Sequence, residues 1–181
     1  MKKTILYIAI VLFIAIVTVA GTYAYIFSTI ESTNNAVSTD TSLIDIIYTG
    51  GNEISGILNL VSSKEEGKNT TVTIKLSEQS VDAEADMYIK INTIDADIAT
   101  EALNWECHRT HNNQTNITSG TFNGKTNGDK IYIDTDYRLS TTDTYYTIYI
   151  WLDGNKIGNE ALGAEFDAYI GAEAVHITEL K

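Results

Sequence analysis

Proline is missing from the chain altogether, and Cys107 is its single cysteine. With neither prolines nor an internal disulfide, rigidity must come from a hydrogen-bonded ladder. Cys107 itself reads as a small buried hydrophobe. Basic residues are scarce: 12 Lys and Arg stand against 24 Asp and Glu, for a formal net charge of −12. Such a body repels nucleic acid and anionic lipid, so no nucleic-acid partner is expected; the same acidity also serves plain solubility. There is no G-x-G-x-x-G, P-loop, G-x-S-x-G or H-E-x-x-H, and hence no mark of a nucleotide cofactor, an activated nucleophile or a zinc protease. No catalytic residue is assigned, and an enzyme is not expected.

What is present begins at the N-terminus. Lys2 and Lys3 precede 16 uncharged residues, Ile5 to Ala20. A spanning helix wants about 20 apolar residues, and a signal h-region about 7–15 followed by small residues. The run lies between the two, and adding Gly21 to Phe27 makes it long enough to span. No Lys or Arg follows until Lys64, so a basic stop-transfer cluster is missing. A secretory signal over residues 1–24 is the favoured reading. An uncut anchor through residues 5–27 is the other. Either places the rest of the chain outside.

Residues 25–41 form a polar leader with scattered β-branched residues, read as flexible or as a strand in need of a partner. From residue 42 to 181 the period is mostly two. Val72, Ile74 and Leu76 share one face, as do Met87, Ile89 and Ile91, and Leu103, Trp105 and Cys107. The segment "TYYTIYIWLDG" (144–154) is apolar or aromatic enough to suggest a central strand covered on both faces. Residues 63–69 hold a turn, with Ser62 a possible cap to Glu65. About eight strands with turns every 8–14 residues predict a β-sandwich or barrel. Trp105, Ile148 and Ile150 belong to its core. The tyrosine-rich strand suits sheet packing, or rows that bind sugar rings.

Few constellations carry chemistry. Asp82, Glu84 and Asp86 lie two apart and share a strand face, where a calcium ion would relieve their repulsion; solvated faces are the other reading. No further cofactor is expected. Cys107, His108 and His111 are zinc-type ligands, but adjacent strand residues point apart and only His176 remains elsewhere. "DGNKIGNE" (153–160) fails as an EF-hand, because Ile157 occupies a ligand position. Three Asn-x-Thr sequons, at Asn69, Asn113 and Asn116, are expected by chance in so Asn/Thr-rich a chain.

Lys2-Lys3, the apolar run and "GTYAY" (21–25) resemble the leader of TasA/camelysin-type exported bacterial surface proteins, which a SipW-like signal peptidase releases. The resemblance implies a cut between Ala24 and Tyr25. The continuation "YIFST" departs from the family's pattern, with Ile26 interposed and no Asp. Segments 63–78, 102–106, 146–155 and 166–174 of the body also resemble small surface proteins of this kind, over roughly a quarter of the chain. The resemblance implies a jelly-roll-like sandwich, and several members assemble into fibres. Some camelysin relatives carry protease activity, but no residues here support one.

The expected role is that of a secreted or cell-surface structural protein, a fibre or matrix subunit built by strand exchange. Residues Tyr25 to Asp40 lack obvious partners within the domain. Freed by the cut, they can add to an edge of a second copy or of another surface protein, with Phe27, Ile30 and Val37 setting register. The alternative is a membrane-anchored module that binds a glycan or a protein. A secreted hydrolase or protease stands third.

Overall fold

A computed structural model of the chain describes residues 27–31, 37–38, 44–51 and 53–176. Its strands are β1 (Phe27–Glu31), β2 (Val37–Ser38), β3 (Ile46–Gly50), β4 (Ile54–Ile57), β5 (Leu60–Val61) and β6 (Lys68–Leu76). They continue with β7 (Ala83–Ile94), β8 (Leu103–His111), β9 (Gln114–Thr121), β10 (Lys130–Arg138), β11 (Thr144–Asp153) and β12 (Glu165–His176). The smaller sheet runs β1-β12-β7-β10, with β4 also on β12; the larger runs β2-β3-β6-β11-β8-β9, with β5 on β11. From β6 onward nearly every connection crosses from one sheet to the other, and neighbours are antiparallel except β5 beside β11. That is a jelly-roll-like β-sandwich. The strands beyond the expected eight or so are the short β1, β2 and β5.

Strict alternation builds the core. Val72, Ile74 and Leu76 of β6 are buried, as are Met87, Ile89 and Ile91 of β7 and Leu103, Trp105 and Cys107 of β8. Each set faces the opposite sheet because successive side chains leave a strand on opposite sides. Ile148 and Ile150 are buried as well. Strand β11 does lie centrally, between β6 and β8. Its outer face is not fully covered, however: Tyr145 is 46% exposed and Tyr149 and Trp151 are half-buried. Amphipathic tyrosines tolerate such a half-wet face, which is why the segment looked apolar on both sides. Tyr48 crosses the sandwich to donate to the Ile170 carbonyl at 2.8 Å. The turn after β5 is a single 3-10 turn, Lys64–Glu66. There Glu66, not Glu65, accepts the Ser62 N–H at 3.0 Å.

The leader is corrected in one respect. Phe27–Glu31 have a partner in their own chain, pairing antiparallel with Gly171–Val175 of β12. Val37 of β2 pairs with Tyr48 in the other sheet. The sandwich therefore begins before residue 42. The physical reason is that β12 is 12 residues long, and β4 covers only Glu165–Ala168 on that side. The remaining main-chain groups need a second neighbour. No helix among the described residues is long and apolar enough to cross a membrane. The signal or anchor segment and the cut between Ala24 and Tyr25 lie outside the described residues. Phe27, the last residue of the span reading, is in β1.

Candidate functional site

The inward series of β8 changes character halfway. Leu103, Trp105 and Cys107 are apolar; Arg109 and His111 continue the same face. Arg109 registers opposite the buried Tyr146 of β11, which confirms its inward direction. Beyond His111 the chain turns tightly through Asn112 and Asn113, with φ of 49° and 61°. Both are residues that tolerate the left-handed region, as a two-residue hairpin requires. Gln114 and Asn116 of β9 then register opposite His111 and Arg109. They too point inward, yet both are exposed, because the smaller sheet does not extend over this end of β9.

The smaller sheet supplies the other wall through an irregular strand. Pairing of β10 with β7 slips between Tyr132 and Asp134, and again between Asp134 and Tyr137. Asp136, at φ 53°, sits in the second irregularity. Bulges re-aim side chains. Here they turn Asp134 and Tyr137 toward the interior, opposite the buried Met87 and Ala85.

Charges from the two sheets meet at this point. Arg109 Nη1 donates to Asp134 Oδ1 and Oδ2 at 3.0 and 2.8 Å. Tyr146 donates its hydroxyl to Asp134 Oδ2 at 2.7 Å. Burial and then the Asp134 charge push the Tyr146 hydroxyl well above its ordinary value. Burial works against the Arg109 charge, but the bonds to Asp134 outweigh it and hold the guanidinium above its ordinary value. The guanidinium also lies over the Tyr137 ring, 4.2 Å from its centroid, a cation–π contact. His111 closes the set: Nδ1 lies 3.0 Å from Thr144 Oγ1, and Nε2 lies 2.9 Å from Asn112 Nδ2. An amide nitrogen can only donate, so Nε2 accepts and the ring proton is assigned to Nδ1. A cleft of about 400 Å³ opens between these elements, lined by Arg109, His111, Gln114, Thr115, Asn116 and Tyr137.

The remaining sequence candidates do not join it. Asp82 precedes β7 and pairs with Arg138 Nη2 at 2.5 Å. Asp86 accepts the Asp136 N–H at 2.8 Å. Among the described residues no group of three or more His, Cys, Asp or Glu is placed to hold a metal ion. The calcium candidates Asp82, Glu84 and Asp86 are thus not gathered into such a group: Asp82 meets an arginine and Asp86 a backbone donor. Cys107 points inward and His108 outward, where His108 Nε2 meets Glu106 at 2.6 Å. Lys64 joins the same carboxylate, and Lys64 followed by His108 holds Glu106 below the usual carboxylate range. Burial pushes the Cys107 thiol up to about 12. A thiol without thiolate character is inert. A maleimide at neutral pH should therefore leave the native protein unlabelled and should label one thiol after unfolding; fast native labelling would place Cys107 at the surface.

Phe27 and Ile30 lie in β1, at the outer edge of the smaller sheet, where they register opposite Val175 and Ala172. This edge slot and the cleft are different regions of the sandwich, the slot on β12 and the cleft between β8, β9 and β10. The spacing rule that found Leu103, Trp105 and Cys107 also reaches Arg109 and His111, two and four residues on. No sequence signal marked the bulges that turn Asp134 and Tyr137 inward.

No known family model matches the chain, and no curated protein matches it. Among solved structures, TmCBM61 in complex with beta-1,4-galactotriose is similar at 6% identity, over 83% of this chain and 82% of that one, with a TM-score of 0.31. That likeness assigns neither a family nor a ligand.

Proposed function

We propose that this is an exported cell-surface structural protein whose copies join by exchanging strand β1. One observation carries the reading. The slot along Gly171–Val175 of β12 is filled by a strand of only five residues, at the sheet edge, from the beginning of the described chain. An identical Phe27–Glu31 from a second copy makes the same main-chain ladder in the same register. Exchange therefore needs no new interface, only a hinge. That hinge must fall between β1 in one sheet and β2 in the other. A head-to-tail contact of this kind propagates where it does not close into a ring. The leader before β1 and its resemblance to TasA/camelysin-type signals support export. They also give cleavage a role: the segment next to the cut becomes free to exchange once it leaves the membrane.

The test is to staple the strand to its own slot. Thr29 and Glu173 are direct register partners, so the Thr29→Cys/Glu173→Cys variant can close a disulfide within one chain. Light scattering at rising concentration should show growing assemblies for the unmodified protein. The oxidised variant should stay monomeric, and reduction should restore growth. If oxidised and reduced forms behave alike, or the unmodified protein never associates, strand exchange is not its mode of assembly.

A further inference from the structure

We propose that the cleft between β8, β9 and β10 binds an uncharged saccharide. The inference rests on the cleft alone and is independent of strand exchange, since the slot on β12 contributes no residue to it.

The cleft differs from the rest of the interior in composition. Along Val72–Leu76, Ala83–Ile91 and Leu103–Cys107 the inward positions are apolar and buried. At the cleft end of β9 the inward positions are Gln114 and Asn116, and both are exposed to the open space. Each amide offers donors and an acceptor side by side, whereas the Thr115 hydroxyl turns to the other face and bonds Thr110. Paired donors and acceptors are what the hydroxyl groups of a sugar require. Tyr137 adds a partly apolar wall. The volume of about 400 Å³ falls within the range of roughly 300–1,000 Å³ typical of small-molecule sites.

Charge narrows the ligand further. Among the lining residues Arg109 carries the formal charge, and Asp134 neutralises it through two hydrogen bonds. An anionic ligand would meet a guanidinium already paired, in a chain of net charge −12. A cationic ligand would find no carboxylate among the lining residues. A neutral, hydroxyl-rich molecule matches both conditions. Asp134, Tyr146 and Thr144 hold the wall in place from behind. They are positioning residues, and their loss alters the protein's stability as well.

The experiment is calorimetric titration of the full chain with neutral oligosaccharides of hexoses and N-acetylhexosamines, and with uronate-containing oligosaccharides of the same length. At least one neutral oligosaccharide should bind, and its uronate counterpart should bind more weakly. The Gln114→Ala/Asn116→Ala variant should lose about tenfold or more in affinity, the effect of two or so neutral hydrogen bonds. Its unfolding midpoint should stay unchanged, because both side chains are exposed. Failure of every neutral oligosaccharide to bind at millimolar concentration would overturn the proposal. So would a preference for the uronates, or binding that the double variant leaves intact. A fibre-forming protein that binds no sugar would leave strand exchange standing and remove only this site.

Discussion

Replacing Asp134 by alanine is expected to destabilise the protein by about 3–5 kcal/mol, the usual cost of breaking a largely buried ion pair from one side. Asp134 is the junction between the sheets. It accepts two bonds from Arg109 and one from Tyr146. The side chains of Arg109 and Asp134 are 21% and 15% exposed, so neither is well solvated when the other is lost. The alanine variant strands a guanidinium and a tyrosine hydroxyl together. Asp134→Asn keeps an acceptor for Tyr146 but removes the charge, and should fall between the two. The informative control removes both charges. Arg109→Met/Asp134→Leu should recover most of the loss, because a buried pair replaced by apolar groups is often neutral. Urea denaturation of the four proteins compares these costs directly. A cost below about 1 kcal/mol for Asp134→Ala, the level of an exposed pair, would mean that water already screens the bridge.

The contrast between that bridge and the rest of the core shows what a period-two pattern can and cannot reveal. On β6, β7 and β8 the apolar positions alternate without interruption, and the buried faces follow directly. Arg109 and His111 sit on the same alternation. Because they are polar, the natural reading is that the strand has left the core. The structure shows instead that the core has an open end there. Asp134 and Tyr137 are three apart, a spacing that a regular strand sends to opposite faces. Two irregularities against β7 bring both inward. The text "DKIYIDTDY" carries little sign of them beyond an aspartate that tolerates positive φ at residue 136. The partner of β1 was hidden for another reason. By composition residues 25–41 read as flexible or as a strand in need of a partner, and the neighbour of Phe27–Glu31, Gly171–Val175, lies far along the chain. Local sequence holds propensity; it does not hold long-range pairing.

Trp105→Ala is expected to cost about 3–5 kcal/mol as well, through a cavity and not a charge. Trp105 is 7% exposed and lies in β8 between Ile150 of β11 and Gly120 of β9. The glycine is part of the fit. A β-carbon built on Gly120 would lie 2.8–2.9 Å from three atoms of the indole, inside any real contact distance. The ring is therefore pressed against the β9 backbone, and the alanine variant leaves a space that a ladder-bound strand cannot collapse to fill. Two measurements separate this account from a general loss of apolar area. Gly120→Ala should destabilise the unmodified protein by pushing the ring. In the Trp105→Ala background it should cost less or even help, since the methyl then enters the vacated space. The resulting coupling between the two positions is expected within the range of about 0.5–3 kcal/mol seen for residues in contact. Trp105→Phe should be milder than alanine, because it keeps most of the ring and removes an indole N–H that is buried without a hydrogen-bond partner among the described residues. Urea unfolding midpoints decide the case. Additive effects at 105 and 120 would show that the ring does not rest on Gly120, and a cost for Trp105→Ala below about 1 kcal/mol, far under the buried range, would put the indole at the surface.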